Sequence, residues 1–397
     1  MAQNGAARQP RGARPTGEDH RATTFELFFD LVYVFALTQV TGYMAQAHTG
    51  YGVLQGLLLL ALLWWIWEGF TWLGNQAYGG ALRAGGAIAL ATMFIVALTI
   101  PEAWHDAPGG LDGPVVLVVA YILVRCIHLT LSTMAATNDT ALRRQVRITW
   151  IPELAGAALL LAGALLGGWK QTVLFAAALL VAWGGVYLTS REGSWRVHSA
   201  SHFNERHGLF ILVALGESLT AIGFGAAQRP VSTPLITAAV LGIALALSLW
   251  WLYFDILSRA AEDRLREARG QARVRMALEA YSYGHFPIVA GIILTALGVE
   301  GVLAHAGDLK PLGTFDALAL FGGVALYLAG HLIFKNRLRY RLNRPRLITM
   351  LVLLTATPAA AVLPPLAALA GLVLILAVLI LFEAIRYAPV RQRQRQV

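Results

Sequence analysis

The chain has 397 residues, of which 57% are apolar and only 13% charged, with a mean hydropathy of +0.61. That balance excludes a set of soluble domains: stretches of about 20 apolar residues, each long enough to cross a hydrocarbon core of roughly 30 Å as a helix, recur along almost the whole chain. The lone cysteine, Cys126, excludes an intramolecular disulfide and a cysteine-based zinc site, and the net charge of +9 sits in short polar breaks between apolar runs.

In chain order, residues 1–24 are polar, carry four arginines and read as a disordered tail rather than a signal peptide. Spans are then predicted near 25–47, 52–74, 84–101, 114–135, 148–167 and 171–189, followed by 207–226, 233–257, 281–300, 314–334, 347–364 and 366–386, with a basic tail from 387. The fold class expected is an all-α polytopic transmembrane helix bundle of about 12 helices. Lys and Arg accumulate in cytoplasmic loops. With the N-terminus inside, only Lys170, Arg229 and Lys310 of the 31 Lys and Arg fall on the far side, and Arg125 lies within the membrane. Both termini are therefore expected in the cytoplasm. The basic stretches 258–275 and 335–346 are read as contacts to anionic membrane lipids, with no nucleic-acid partner. The segments LLWWIWEGFT (62–71) and SLWWLYFDILS (248–258) suggest a parallel repeat of two six-helix halves, 25–190 and 198–386. It would pair Trp64 with Trp250, Asp30 with Glu217 and His128 with His331.

Ionisable residues inside spans mark functional sites by default. The first span places Glu26, Asp30 and Tyr33 on one helical face. Glu68 lies near the end of the second, and Arg125, His128 and Ser132 line one flank of the fourth. Glu217 is about ten residues into the seventh, roughly 15 Å deep, with Gly216 beside it to admit another backbone. His285 opens the ninth span, where Pro287 removes a backbone donor and frees carbonyls. This distribution predicts a polar cavity facing the cytoplasm. The plainer readings are snorkelling or helix capping for Glu26, Asp255 and His331, an interfacial Trp belt for Glu68, and structural ion pairing for Arg125 and Glu217. His198-x3-His202-x2-Glu205 has a spacing found among zinc ligands, but an amphipathic helix entering the membrane explains it more simply, so neither metal nor cofactor is expected. The sequence contains no HExxH, GxSxG or Walker loop to support hydrolase chemistry or ATP-driven transport.

The segments FELFFDLVYVFALTQVT (25–41), HFNERHGLFILVALGES (202–218) and YSYGHFPIVAG (281–291) resemble the three signature regions of the bacterial low-temperature-requirement A (LtrA) family, over about residues 20–390. The resemblance implies a multi-pass protein of the bacterial inner membrane. It marks Glu26 and Asp30 in the first region, His202, Glu205, Arg206, Gly208, Gly216 and Glu217 in the second, and Tyr283, His285 and Pro287 in the third. His207 departs from the pattern, standing where an aromatic or apolar residue is expected. The resemblance does not supply a substrate. The function expected is proton-coupled secondary transport of a small solute. Glu217 and Asp30 would be proton or substrate groups, Arg125 a counter-charge, and His128 or His285 a relay. A sensor or scaffold without transport, and an intramembrane enzyme acting on a lipid-linked group, are the alternatives.

Overall fold

The computed structural model describes residues 14–191, 193–227 and 229–388; most of the N-terminal tail and of the C-terminal basic tail lies outside that range. In chain order the elements are β1 (Arg14–Pro15), α1 (Thr24–Ala47), α2 (Gly50–Gln76), β2 (Ala77–Tyr78), α3 (Gly80–Thr99), α4 (Gly113–Ala135), α5 (Thr140–Leu166) and α6 (Gly168–Ser190). Then follow α7 (Ala200–Ala227), α8 (Thr233–Phe254), α9 (Leu257–Glu267), α10 (Gly270–Met276), α11 (Phe286–Ala304), α12 (Thr314–Ala317), α13 (Gly323–Arg337), α14 (Arg344–Val362) and α15 (Pro365–Arg386). Two π-helical segments interrupt this order, Ala277–Tyr283 before α11 and Leu318–Gly322 before α13.

Twelve helical stretches among the described residues are long and apolar enough to cross a membrane, matching the expected spans one for one. Local chemistry sets their ends. Asp112, Asp139, Ser232 and Asn343 each accept a backbone N–H of the first turn of the helix they precede, satisfying a donor that the helix cannot. The shortest turn, between α5 and α6, holds because Gly167 and Gly168 both take positive φ, 65° and 57°.

The seventh span starts earlier than expected. Helix α7 begins at Ala200, so HFNERH forms its first turns, and His202, Arg206 and His207 are buried. The expected tail is also shorter: Arg14–Pro15 pairs antiparallel with Ala77–Tyr78, and the buried Thr16 donates its hydroxyl to the Asn75 carbonyl.

The chain divides into two compact units. One comprises the described residues up to Val32 together with Trp65–Phe203; the other comprises Tyr33–Trp64 with the described residues from Asn204 onward. Helices α1, α2 and α7 each pass from one unit to the other, so this division is not the one between residues 25–190 and 198–386. Within the first unit, α3 packs on α4, α4 on α5 and α5 on α6, as short connections between antiparallel neighbours favour. Within the second, α11 approaches α13 and the π-helical segment before it backbone to backbone: a Cβ at Gly291 would stand 2.4 Å from Tyr327 N, and one at Gly298 2.5 Å from Leu320 N. Only glycine permits that separation.

Candidate functional site

In the first unit, Glu26 is the third residue of α1 and closes a capping box. Thr23 donates its backbone N–H and its hydroxyl to Glu26 Oε2, at 2.8 and 2.9 Å, and the Glu26 N–H donates back to Thr23 Oγ1 at 3.3 Å. The other carboxylate oxygen meets His202 Nε2 at 2.8 Å, and His20 stacks on the His202 ring with centroids 4.8 Å apart. Gly74 makes room for this contact, because a Cβ there would lie 2.3 Å from Glu26 Oε1. His20, Glu26 and His202 place three possible ligand atoms within 4.8 Å of one another, a spacing suited to a divalent ion. The hydrogen bonds around them favour a proton instead. Asn75 Oδ1 accepts the His198 N–H and its Nδ2 donates to the Ser199 carbonyl, which leaves Nδ2 also facing His202 Nδ1 at 3.2 Å. His202 Nδ1 is therefore an acceptor, and Nε2 carries the proton that Glu26 receives. Metal-ligating histidines normally donate from the second ring nitrogen. The spaced set His198, His202 and Glu205 does not assemble, because His198 precedes the start of α7 and shares no helical face with the other two.

Asp30 is buried and accepts the Trp67 indole N–H at 2.9 Å. Glu68 is only 2% exposed, packed inside the first unit. Arg125 forms a bidentate pair with Glu153, Nε to Oε2 at 3.1 Å and Nη2 to Oε1 at 2.5 Å, and Nη1 donates to the Trp65 carbonyl. The Trp65 indole completes the ring of contacts by donating to Glu153 Oε1 at 2.8 Å. His128 Nε2 faces Ser132 Oγ at 3.3 Å, while its buried Nδ1 has no hydrogen-bond partner among the described residues. Gly69 is the floor of this cluster: a Cβ there would stand 2.7 Å from Arg125 Nη1 and 2.8 Å from the His128 ring.

In the second unit, Glu217 is 1% exposed and accepts the hydroxyls of Thr38, at 2.6 Å, and Thr220, at 2.9 Å. No cation among the described residues lies within ion-pair distance of it. It stands ten residues before the end of the 28-residue α7, about 5 Å past the helix middle at 1.5 Å per residue. Gly216 does not admit a neighbouring backbone as expected, since a Cβ there would meet nothing within 4 Å. The close approaches of α7 are at Gly208, 3.3 Å from the Phe254 ring, and at Gly225, 2.8 Å from the Glu300 carbonyl. Glu300 interacts electrostatically with Glu217 and with the buried Asp316. Carboxylates thus continue beyond Glu217 towards the end of α7, where Gly225 meets the Glu300 carbonyl.

The third signature segment builds a buried aromatic and polar network. Its π-helix turns the Ser282 carbonyl towards the Trp64 indole, which donates to it at 2.8 Å, so this carbonyl in the irregular stretch before Pro287 is claimed by a side chain. Tyr283 is half-buried on the same π-turn. His285 is fully buried; its Nδ1 faces the Ala280 carbonyl at 3.4 Å, which makes Nε2 the acceptor for the Tyr253 hydroxyl at 2.8 Å. Tyr281 stacks on His285 and donates to Asn204 Oδ1, and His207 packs at 4.9 Å from both rings. His207 therefore fills the aromatic place its position calls for. Beyond Tyr253 lies His331, whose Nδ1 accepts from Arg346; Arg346 in turn makes a bidentate pair with Glu383, to which Asn343 also donates.

The expected set therefore falls into two groups. Glu26, Asp30, Glu68, Arg125, His128 and His202 belong to the first unit, and Tyr33, Glu205, Arg206, Gly216, Glu217, Tyr283, His285 and Pro287 to the second. The supposed repeat-mates have different surroundings, an indole for Asp30 and threonine hydroxyls for Glu217. The two buried Arg–Glu pairs also sit on different span numbers, the fourth and fifth against the eleventh and twelfth. Two cavities lie among the basic loop residues: one of about 440 Å3 lined by Arg264, Arg275, Arg337 and Arg339, and one of about 90 Å3 lined by Lys335, Tyr340, Arg346 and Glu383. None of Glu26, Asp30, Arg125, His128, Glu217 or His285 lines either. Sequence reasoning did not assign Glu153, Arg346, Glu383, Tyr253 or Asn204 to the site; a signal existed for Glu153, a carboxylate after Pro152 inside the span 148–167, and for Arg346 and Glu383, charges at the ends of consecutive spans.

Fold and buried polar networks together define a polytopic helical membrane protein. The chain belongs to the bacterial low temperature requirement A protein (LtrA) family, whose family model matches residues 21–381. It is 28% identical over 338 residues to the uncharacterised protein RA0937 of Rhizobium meliloti (strain 1021), an alignment covering 81% of this chain and 79% of that one. No solved structure gives a significant match.

Proposed function

We propose that the protein is a proton-coupled secondary transporter of a small solute, with Glu217 as the group that carries the proton. The observation that supports this reading most is the environment of Glu217: a carboxylate inside a span, met by the hydroxyls of Thr38 and Thr220, with Thr41 adding a further side-chain contact, and by no cation among the described residues. An arginine beside it would hold the ionised form alone. A threonine hydroxyl both donates and accepts, so it serves the carboxylate as a donor and the protonated acid as an acceptor. Glu217 thus keeps its hydrogen bonds in either state. The π-helical interruptions before α11 and α13 add support, because such irregular turns collect at functional sites. By this reading Glu300 and Asp316 give the proton a route on one side, and the bacterial inner membrane, with both termini cytoplasmic, supplies the gradient.

A scaffold role accounts for Arg125–Glu153 and Arg346–Glu383, whose hydrogen bonds are satisfied within the protein, but leaves the uncompensated Glu217 unexplained. The test is a flux screen in proteoliposomes under an imposed pH gradient, comparing wild type with Glu217→Gln. Gradient-driven flux of at least one solute class, lost in the variant while the fold is kept, is expected. Absence of flux with every class would defeat the transport reading.

A further inference from the structure

Helices α14 and α15 enclose a groove of about 740 Å3 whose walls are apolar along most of their length, including Ile348, Val352, Leu374 and Val378. One end is different: Arg344 and Arg386 line it. Both are exposed, and neither forms a side-chain hydrogen bond or ion pair with any described residue. Arg346, one residue beyond Pro345, provides the contrast. It faces inward and is fully engaged by Glu383, His331 and the Leu252 carbonyl. Helix phase has therefore separated an arginine that holds the protein together from two that are left for something else.

We infer that this groove binds one anionic glycerophospholipid, its phosphate held between Arg344 and Arg386 and one acyl chain lying along the trough. The dimensions agree. From Arg386 to Leu374 is about 18 Å along α15, and from Arg344 to Val352 about 12 Å along α14, at 1.5 Å per residue; one leaflet of hydrocarbon is about 15 Å deep. Charge complementarity selects the headgroup. Guanidinium groups bind phosphate oxygens with charge-assisted hydrogen bonds, and no carboxylate lines the groove to greet the ammonium of a zwitterionic lipid. A soluble anion would gain nothing from the apolar walls.

Native mass spectrometry of the full chain with phosphatidylglycerol and phosphatidylcholine of matched chains tests the site. Wild type is expected to retain phosphatidylglycerol about tenfold over phosphatidylcholine. Arg344→Gln/Arg386→Gln is expected to lose the preference, and Val378→Trp, which fills the trough and leaves the arginines, to lose retention. An unchanged preference in the double variant, or displacement of the lipid by inorganic phosphate in wild type, overturns the assignment. Photoreactive phosphatidylglycerol gives a check on wild type alone: crosslinks on α14 and α15 are expected, and crosslinks confined to other helices overturn it.

Discussion

A buried carboxylate can be held by a cation or by neutral hydroxyls, and both arrangements occur in this protein. Glu153 has Arg125, so removing either partner strands a charge. Arg125→Met is expected to lower stability by about 3–5 kcal/mol, and Arg125→Met with Glu153→Leu to recover most of it, as read from thermal unfolding in detergent. Outside the spans, Asp139 caps α5: the Leu142 N–H, at 2.9 Å, holds its carboxyl below the usual carboxylate range, with Arg196 helping at 3.3 Å. A lowered folded value stabilises above the unfolded value and not below the folded one. Asp139→Ala should therefore cost about 1 kcal/mol near neutral pH, and the charge-dependent part of that cost should shrink as the pH falls below about 4. Unfolding midpoints of both proteins across that range measure it. Glu217 was legible in the sequence because one carboxylate interrupts an apolar run. Thr220, three residues on along the same helix, was within reach by spacing alone; Thr38 was not, since a threonine in a span commonly bonds back to its own helix, and only the meeting of α1 with α7 turns its hydroxyl to Glu217.

At the scale of the element, apolar length and polar breaks disclosed all the spans, while their contacts stayed hidden. The start of α7 shows why. HFNERH looks like a polar loop by composition, yet its polar side chains have partners that only tertiary structure supplies, such as Glu26 for His202. Glycine roles are hidden in the same way. Gly216 stands beside the key carboxylate but faces open space, whereas Gly298 meets the Leu320 backbone. Gly216→Ala is expected to be neutral or to stabilise by up to about 1 kcal/mol through helix propensity. Gly298→Ala should destabilise by roughly 1–3 kcal/mol or more through overpacking. Thermal unfolding of the two variants side by side distinguishes them.

At the scale of the molecule, the arginine distribution gives an orientation that labelling can test. On a Cys126→Ala background, Leu309→Cys, in an exposed loop on the sparsely charged side, is expected to react with an impermeant maleimide in intact cells. Arg339→Cys is expected to react only after permeabilisation; the reverse pattern would invert the topology. The halves suggested by Trp64 and Trp250 were read from local similarity, and the buried Arg–Glu pairs do not follow that correspondence, because packing between spans is not written in a dipeptide. The central claim is that Glu217 couples a proton to solute movement. Its most direct measurement is the internal pH of proteoliposomes carrying a trapped pH dye, followed as solutes of different classes are added to wild type and Glu217→Gln. A solute-evoked pH change in wild type that is absent in Glu217→Gln is the result predicted. An equal pH change in both proteins, or solute movement in wild type with no pH change, would contradict it.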